Sequence, residues 1–324
     1  MTPVMSFSLA IVAPNGPEMC AALGLWCSLL GLASPSVAHA HGKVLIAVAT
    51  LDAMILTTLR SIGPLWVLLI VGTAVLRIGP RQVRQVLQRQ GPAALTGALL
   101  VTGITLAAVW WTRASDAARL VPDSATVDQP WLETVRQIPW WVFQGVAAFP
   151  RRNIPAPGIV YVLVFSVLLA VLVAGISSAS RSIRQAFFVC LTVSFIVPVV
   201  LTALTIEATG AIWQGRYGLP YHAGIALLAC QGLDRRTARL PDIPWVAAGI
   251  AALGCAHVVS IAHVFLVESR TSPLAKSDEW THPSVWVIVL TATLGCCLWF
   301  VTLYRSVNQV GDRAVEQPAL TSPE

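Results

Sequence analysis

Read for apolar against polar positions, the chain is a series of long apolar runs broken by short polar turns. Met1–Ala13 is an apolar stub with no basic residue, too short to span a bilayer, and Pro14-Asn15-Gly16-Pro17-Glu18 closes it as a turn by composition. Apolar runs follow at Met19–Leu32, Val44–Leu59, Pro64–Leu76, Ala93–Trp111, Gly158–Gly175, Ala186–Ile206, Gly218–Gln231, Pro244–Val267 and Ser284–Tyr304. A segment in lipid must satisfy its own backbone hydrogen bonds, so each run is read as a helix. The pattern predicts an all-α, polytopic transmembrane protein with about nine spans, built as a single membrane domain over residues 1–324. Several runs are shorter than the ~20 residues of a full crossing. Val44–Leu59 and Pro64–Leu76, joined by the tight turn Arg60-Ser61-Ile62-Gly63, read alternatively as one re-entrant or kinked unit.

The polar stretches differ in kind. Arg77, Arg81, Arg84 and Arg89 make a basic amphipathic segment, and Arg181 with Arg184, then Arg235, Arg236 and Arg239, mark two further basic turns. Thr112–Pro157 is a long polar loop. Within it, Trp131, Leu132, Val135 and Ile138 fall on one helical face, and Trp140, Trp141 and Phe143 follow a break at Pro139. This predicts a helix lying on the membrane surface, either as a lid over a lipid-linked substrate or as an anchor.

Composition fits the pattern. The chain is 56% hydrophobic and 11% charged, with mean hydropathy +0.73, whereas a soluble domain carries roughly 25% charged residues. The net charge of +6 raises the question of nucleic acid. With the Arg77–Arg89 segment placed in the cytoplasm and the spans alternating, Lys and Arg concentrate on the cytoplasmic side and Asp and Glu on the outer side. The basicity is thus a topology signal in a multi-pass cell-membrane protein, and no nucleic-acid partner is expected. Ala38-His39-Ala40 looks like a signal-peptidase site, but Glu18 is the only charge before Lys43, so no cleaved signal is expected. Seven cysteines all lie in apolar runs without a C-x-x-C pair, and read as small buried apolar residues.

In this topology the unusual turns share the outer face. In Trp213-Gln214-Gly215-Arg216-Tyr217-Gly218-Leu219-Pro220, an arginine sits between two apolar runs, flanked by glycines and by rings suited to the interface. Arg216 is either an interfacial anchor or, like Arg60, a contact for an anionic ligand such as a lipid phosphate. Glu18 and Glu207 are candidates for a general base, a metal ligand or ion-pair partners of Arg60 and Arg216. Asp52 is an intramembrane carboxylate, a functional candidate by default. His39-x-His41 reads as a weak metal hint or a solvated turn, and His222, His257 and His263 lack ligand spacing. No phosphate-binding loop, nucleophile elbow or zinc-protease motif is present, and no metal or cofactor is expected.

Three stretches in order, Asn15-Gly16-Pro17-Glu18, Leu59-Arg60-Ser61-Ile62-Gly63-Pro64-Leu65-Trp66 and Gln214-Gly215-Arg216-Tyr217-Gly218-Leu219-Pro220, resemble the bacterial membrane family called domain of unknown function 2142. That family is grouped with the glycosyltransferase C superfamily, which transfers sugars from polyprenyl-phosphate donors at the outer membrane face. The resemblance implies a glycosyltransferase C-like fold, a polyprenyl-phosphate-sugar partner and a role in envelope glycan assembly. It makes Arg60, Ser61, Gln214, Arg216 and Tyr217 the substrate-binding candidates, and Glu18 the substitute catalytic acid or base. The chain departs from the family in lacking its N-terminal helix and acidic outer loop, and in having Pro14-Asn15 where the family tends to show Asn-Pro. It therefore resembles the C-terminal two-thirds of such a protein. The rival expectation is a non-catalytic lipid-binding subunit or a transporter, the latter without visible internal repeats.

Overall fold

The computed structural model describes residues 2–10, 15–114, 128–149, 154–209, 213–234, 243–271 and 283–316. The fold is all-α apart from two short strands, β1 (Ala148–Phe149) and β2 (Ile154–Pro155). The helices are α1 (Pro3–Ala10), α2 (Asn15–Gly31), α3 (Pro35–Leu59), α4 (Gly63–Ile78), α5 (Pro80–Ala114), α6 (Pro130–Arg136), α7 (Ile138–Ala147), α8 (Gly158–Ser178), α9 (Arg181–Thr209), α10 (Leu219–Asp234), α11 (Ile243–Thr271) and α12 (Val285–Glu316). A 3-10 turn, Gly215–Gly218, leads into α10. Among the described residues, six helices are long and apolar enough to cross a membrane: α3, α5, α8, and the stretches Arg181–Glu207, Trp245–Thr271 and Val285–Thr302. The protein is thus an all-α, multi-pass membrane protein by its helices. α4 is apolar but shorter.

The helix boundaries correct several expectations. Asn15-Gly16-Pro17-Glu18 is the first turn of α2, where a proline needs no N–H partner and an acid meets the positive helix end. α3 starts at Pro35, so His39 and His41 lie on a helix and not in a solvated turn, and Arg89 contacts the His39 ring at 3.0 Å. The Arg77–Arg89 segment is not a separate loop. Its larger part belongs to α5, which bends where Gln90 leaves helical geometry two residues before Pro92. The surface helix expected over 131–138 ends at Arg136, and Pro139 opens α7 where it was read as a break. The stretches 115–127 and 150–153 of the long polar loop, and Arg235, Arg236 and Arg239, lie outside the described residues.

The chain divides into two units, Met1–Ala148 with Leu168–Pro241, and Phe149–Val167 with Asp242–Glu324. The core of the first is formed by α2, α3, α4, α9 and α10. At its centre the ring of Tyr221 lies between Trp26 and Trp66, each centroid 5.9 Å away. The polar atoms of these rings are largely satisfied inside the core. Trp26 Nε1–H donates to Pro220 O at 3.1 Å, and the Tyr221 hydroxyl pairs with Thr73 Oγ1 at 2.8 Å. In the second unit, α11 and α12 bury few side chains and leave many apolar ones exposed, among them Trp245, Trp286 and Leu290. Such surface is what a lipid-facing helix presents. Five of the seven cysteines (Cys20, Cys27, Cys230, Cys255 and Cys297) are also exposed, and Cys190 is buried, which corrects the expectation that all pack inside. An apolar run does not reveal its inner face when its outer face meets lipid.

Candidate functional site

Three turns far apart in sequence meet at one place in the first unit: the start of α2, the α3–α4 turn and the stretch 213–218. Arg60 caps α3 in extended geometry, and Gly63 N–H donates to its carbonyl at 2.9 Å, which folds the chain back into α4. The side chain of Arg60 then reaches the first turn of α2. Its Nε lies 2.7 Å from Glu18 Oε2, and its terminal nitrogen donates to Asn15 Oδ1. Glu18 is 3% exposed. Burial pushes the Glu18 carboxyl above the ordinary carboxylate range, while the charges of Arg60 and then Arg216 pull it down, without cancelling the burial effect.

The second arginine is placed differently. Gly215 N–H donates to Gln144 Oε1 on α7 at 2.9 Å, pinning the 3-10 turn to that helix. A Cβ on Gly215 would stand 1.8 Å from Trp141 O, so only glycine allows this approach. Tyr217 lies under both guanidinium groups, with Arg60 Cζ 4.7 Å and Arg216 Cζ 5.8 Å from its ring centroid. Trp213 joins the ring of Tyr217 (6.0 Å) to those of Trp66 and Trp141 (6.3 Å each).

Several buried polar atoms at this place have no hydrogen-bond partner among the described residues: Glu18 Oε1, Gln214 Oε1, Arg216 Nε, Trp66 Nε1 and Trp141 Nε1. Leaving a buried polar atom unpaired costs about 1–3 kcal/mol, so such a cluster is where a ligand or water would gain most. The ion-pair alternative holds for Glu18 with Arg60. It fails for Glu207, which is exposed and forms no ion pair with Arg216 among the described residues. Ser61 is exposed in its turn without a hydrogen bond.

Of the sequence candidates, Glu18, Arg60, Gln214, Arg216 and Tyr217 come together. The sequence reading missed Asn15 as an arginine partner, and Gln144, Trp141 and Trp66 as walls of the same place. Trp66 lay within the Leu59–Trp66 stretch, but nothing in the pattern showed that it turns toward Trp213. Asp52 stands elsewhere, against Gly24 of α2, and its Oδ2 has no hydrogen-bond partner. Comparison with known proteins finds no matching family model, no matching curated protein and no matching solved structure.

Proposed function

We propose that this multi-pass protein binds the phosphate of a polyprenyl-phosphate sugar at the outer face of the cell membrane, as the enzymes it resembles do. The observation that carries the reading is Arg216. Its Nε is buried and without a hydrogen-bond partner among the described residues, as is Oε1 of Gln214 two positions earlier, while the Tyr217 ring lies against the guanidinium. An unengaged guanidinium donor with an acceptor two positions away in the chain suits a phosphate ester carrying hydroxyls. In this reading Arg216 and Gln214 face the ligand, and Arg60 supports Tyr217. Glu18 Oε1, the oxygen not held by Arg60, is the candidate acid or base, and Ser61 flanks the entrance. In the same proposal the chain crosses the membrane about nine times, with α2, α4 and α10 as short crossings, in a glycosyltransferase C-like arrangement.

The fixed pairing of Arg60 with Glu18 and Asn15 also favours a second reading, a lipid-binding subunit that holds the sugar lipid without transferring the sugar. One experiment addresses binding in both cases. Arg216→Lys keeps the charge and loses the planar fork. Losing one charge-assisted hydrogen bond, roughly 1.5–3 kcal/mol, should weaken polyprenyl-phosphate binding by about tenfold or more in detergent. Wild-type affinity in this variant would leave Arg216 as an interfacial anchor and overturn the proposal. Release of polyprenyl phosphate from the sugar lipid by the wild-type protein, abolished in Glu18→Gln, would decide for transfer over holding.

A further inference from the structure

The opposite end of α4 from the Arg60 turn carries a second arginine-rich feature. Gly79 ends α4 with φ of 83°, a left-handed conformation natural to glycine, and its N–H donates to Val75 O at 2.9 Å. Pro80 then starts α5. Two grooves open on either side of this junction and share Gly79 and Pro80. The larger, about 640 Å³, is walled by Val75, Leu76, Val83 and Leu87 with Arg84 at its edge. The smaller, about 390 Å³, is lined by Ile78 and by the polar residues Arg81, Gln82 and Gln85. No acidic residue lines either groove.

The four arginines of this region are not equivalent. Arg77 Nε donates to Gln231 Oε1 at 2.8 Å, and Arg89 meets the His39 ring. Arg81 and Arg84 are exposed, and neither has a hydrogen bond or ion pair among the described residues. Two unspent positive charges therefore border the two adjoining grooves, Arg84 at the larger apolar one and Arg81 at its neighbour, on a protein whose other helices are built for lipid. A soluble anion would leave the apolar walls wet, and a neutral lipid would leave the arginines unmatched. An amphiphile with a negative head and an apolar tail meets both requirements.

We propose that the α4–α5 junction binds an anionic membrane phospholipid. Its phosphate lies on Arg81 and Arg84, and an acyl chain lies along Val75, Leu76, Val83 and Leu87. This site is independent of the reading of Arg216.

The test uses the full chain reconstituted in phosphatidylcholine nanodiscs with and without phosphatidylglycerol, followed by native mass spectrometry of the lipids retained in mild detergent. Wild-type protein should retain phosphatidylglycerol in preference to phosphatidylcholine. At about a fivefold loss per basic residue, Arg81→Gln with Arg84→Gln should weaken that retention by about twenty-five-fold, and each single change by about fivefold. Because both side chains are exposed and unpaired, the melting temperature should not move. The control pair Arg181→Gln with Arg184→Gln, at the start of α9, should retain the lipid like wild type. Glycerol phosphate should not displace it. Equal retention of the two lipids, wild-type retention in the Arg81/Arg84 variant, equal loss in the control pair, or displacement by glycerol phosphate would each overturn the proposal.

Discussion

The α3–α4 turn and the 213–218 turn are alike on paper. Each places one arginine near glycine at the edge of an apolar helix, and the two guanidinium groups share the ring of Tyr217. In space they are opposites. Arg60 is closed off by a buried carboxylate and an amide from the start of α2, whereas Arg216 keeps a buried nitrogen without a partner. The first arginine connects helices, and the second keeps a donor that no other described residue engages. The difference teaches that an arginine's role near a membrane depends on which acceptors other parts of the chain bring to it, and local composition does not disclose that.

Three substitutions probe the contrast. The largest effect is expected at the hinge that presents Arg216. Gly215→Ala would drive a Cβ into the backbone at Trp141 and Gly145, so a loss of about 3 kcal/mol or more is expected, read as a collapse of the melting temperature in detergent. Gly145→Ala, whose Cβ would stand 3.7 Å from Gly215 O, is the tolerated counterpart. Equal melting of the two variants would show that the turn is not pinned there.

The next effect belongs to Arg60. Arg60→Gln removes the guanidinium and leaves Glu18 buried with an uncompensated charge, at a cost of about 3 kcal/mol at neutral pH. The pH dependence has a definite sign. The Glu18 carboxyl is already raised by burial, and losing Arg60 raises it further. A raised carboxyl stabilises the folded state below its unfolded pKa and loses that contribution as pH climbs through the folded value. The melting-temperature deficit of Arg60→Gln should therefore be small in acid and grow toward alkaline pH. A deficit that shrinks as pH rises would contradict the buried-carboxylate account.

The smallest stability effect is expected at Arg216. Its charged group forms no ion pair among the described residues, so Arg216→Gln should move stability by less than about 1 kcal/mol. A loss as large as that of Arg60→Gln would make the two turns equivalent and remove the basis for assigning them different roles.

Much of the fold was legible because helices in lipid must be apolar and continuous. Gly158–Gly175 and Ala186–Ile206 lie within α8 and α9, the first extended at its C-terminal end and the second at both ends. The errors cluster where polar residues lie on helices. Asn15–Glu18 and Pro35–Lys43 are helical, yet their polar side chains read as turns. The site was half legible. Arg60, Arg216 and Tyr217 stand out as polar groups in turns between apolar runs. Gln144 did not, because a glutamine in a long polar stretch carries no sign that it will be buried against Gly215.

The sequence by itself determined the class of molecule, the order of its helices and the residues whose charge is costly near lipid. Those follow from transfer free energies, which depend on composition and spacing along one segment. Which arginine is paired and which is unspent was decided only in three dimensions. It depends on α2, the α3–α4 turn, α7 and the Gly215–Gly218 turn meeting at one point, and on backbone approaches as close as that of Gly215 to Trp141. Such contacts join residues separated by long stretches of chain, so no local pattern encodes them.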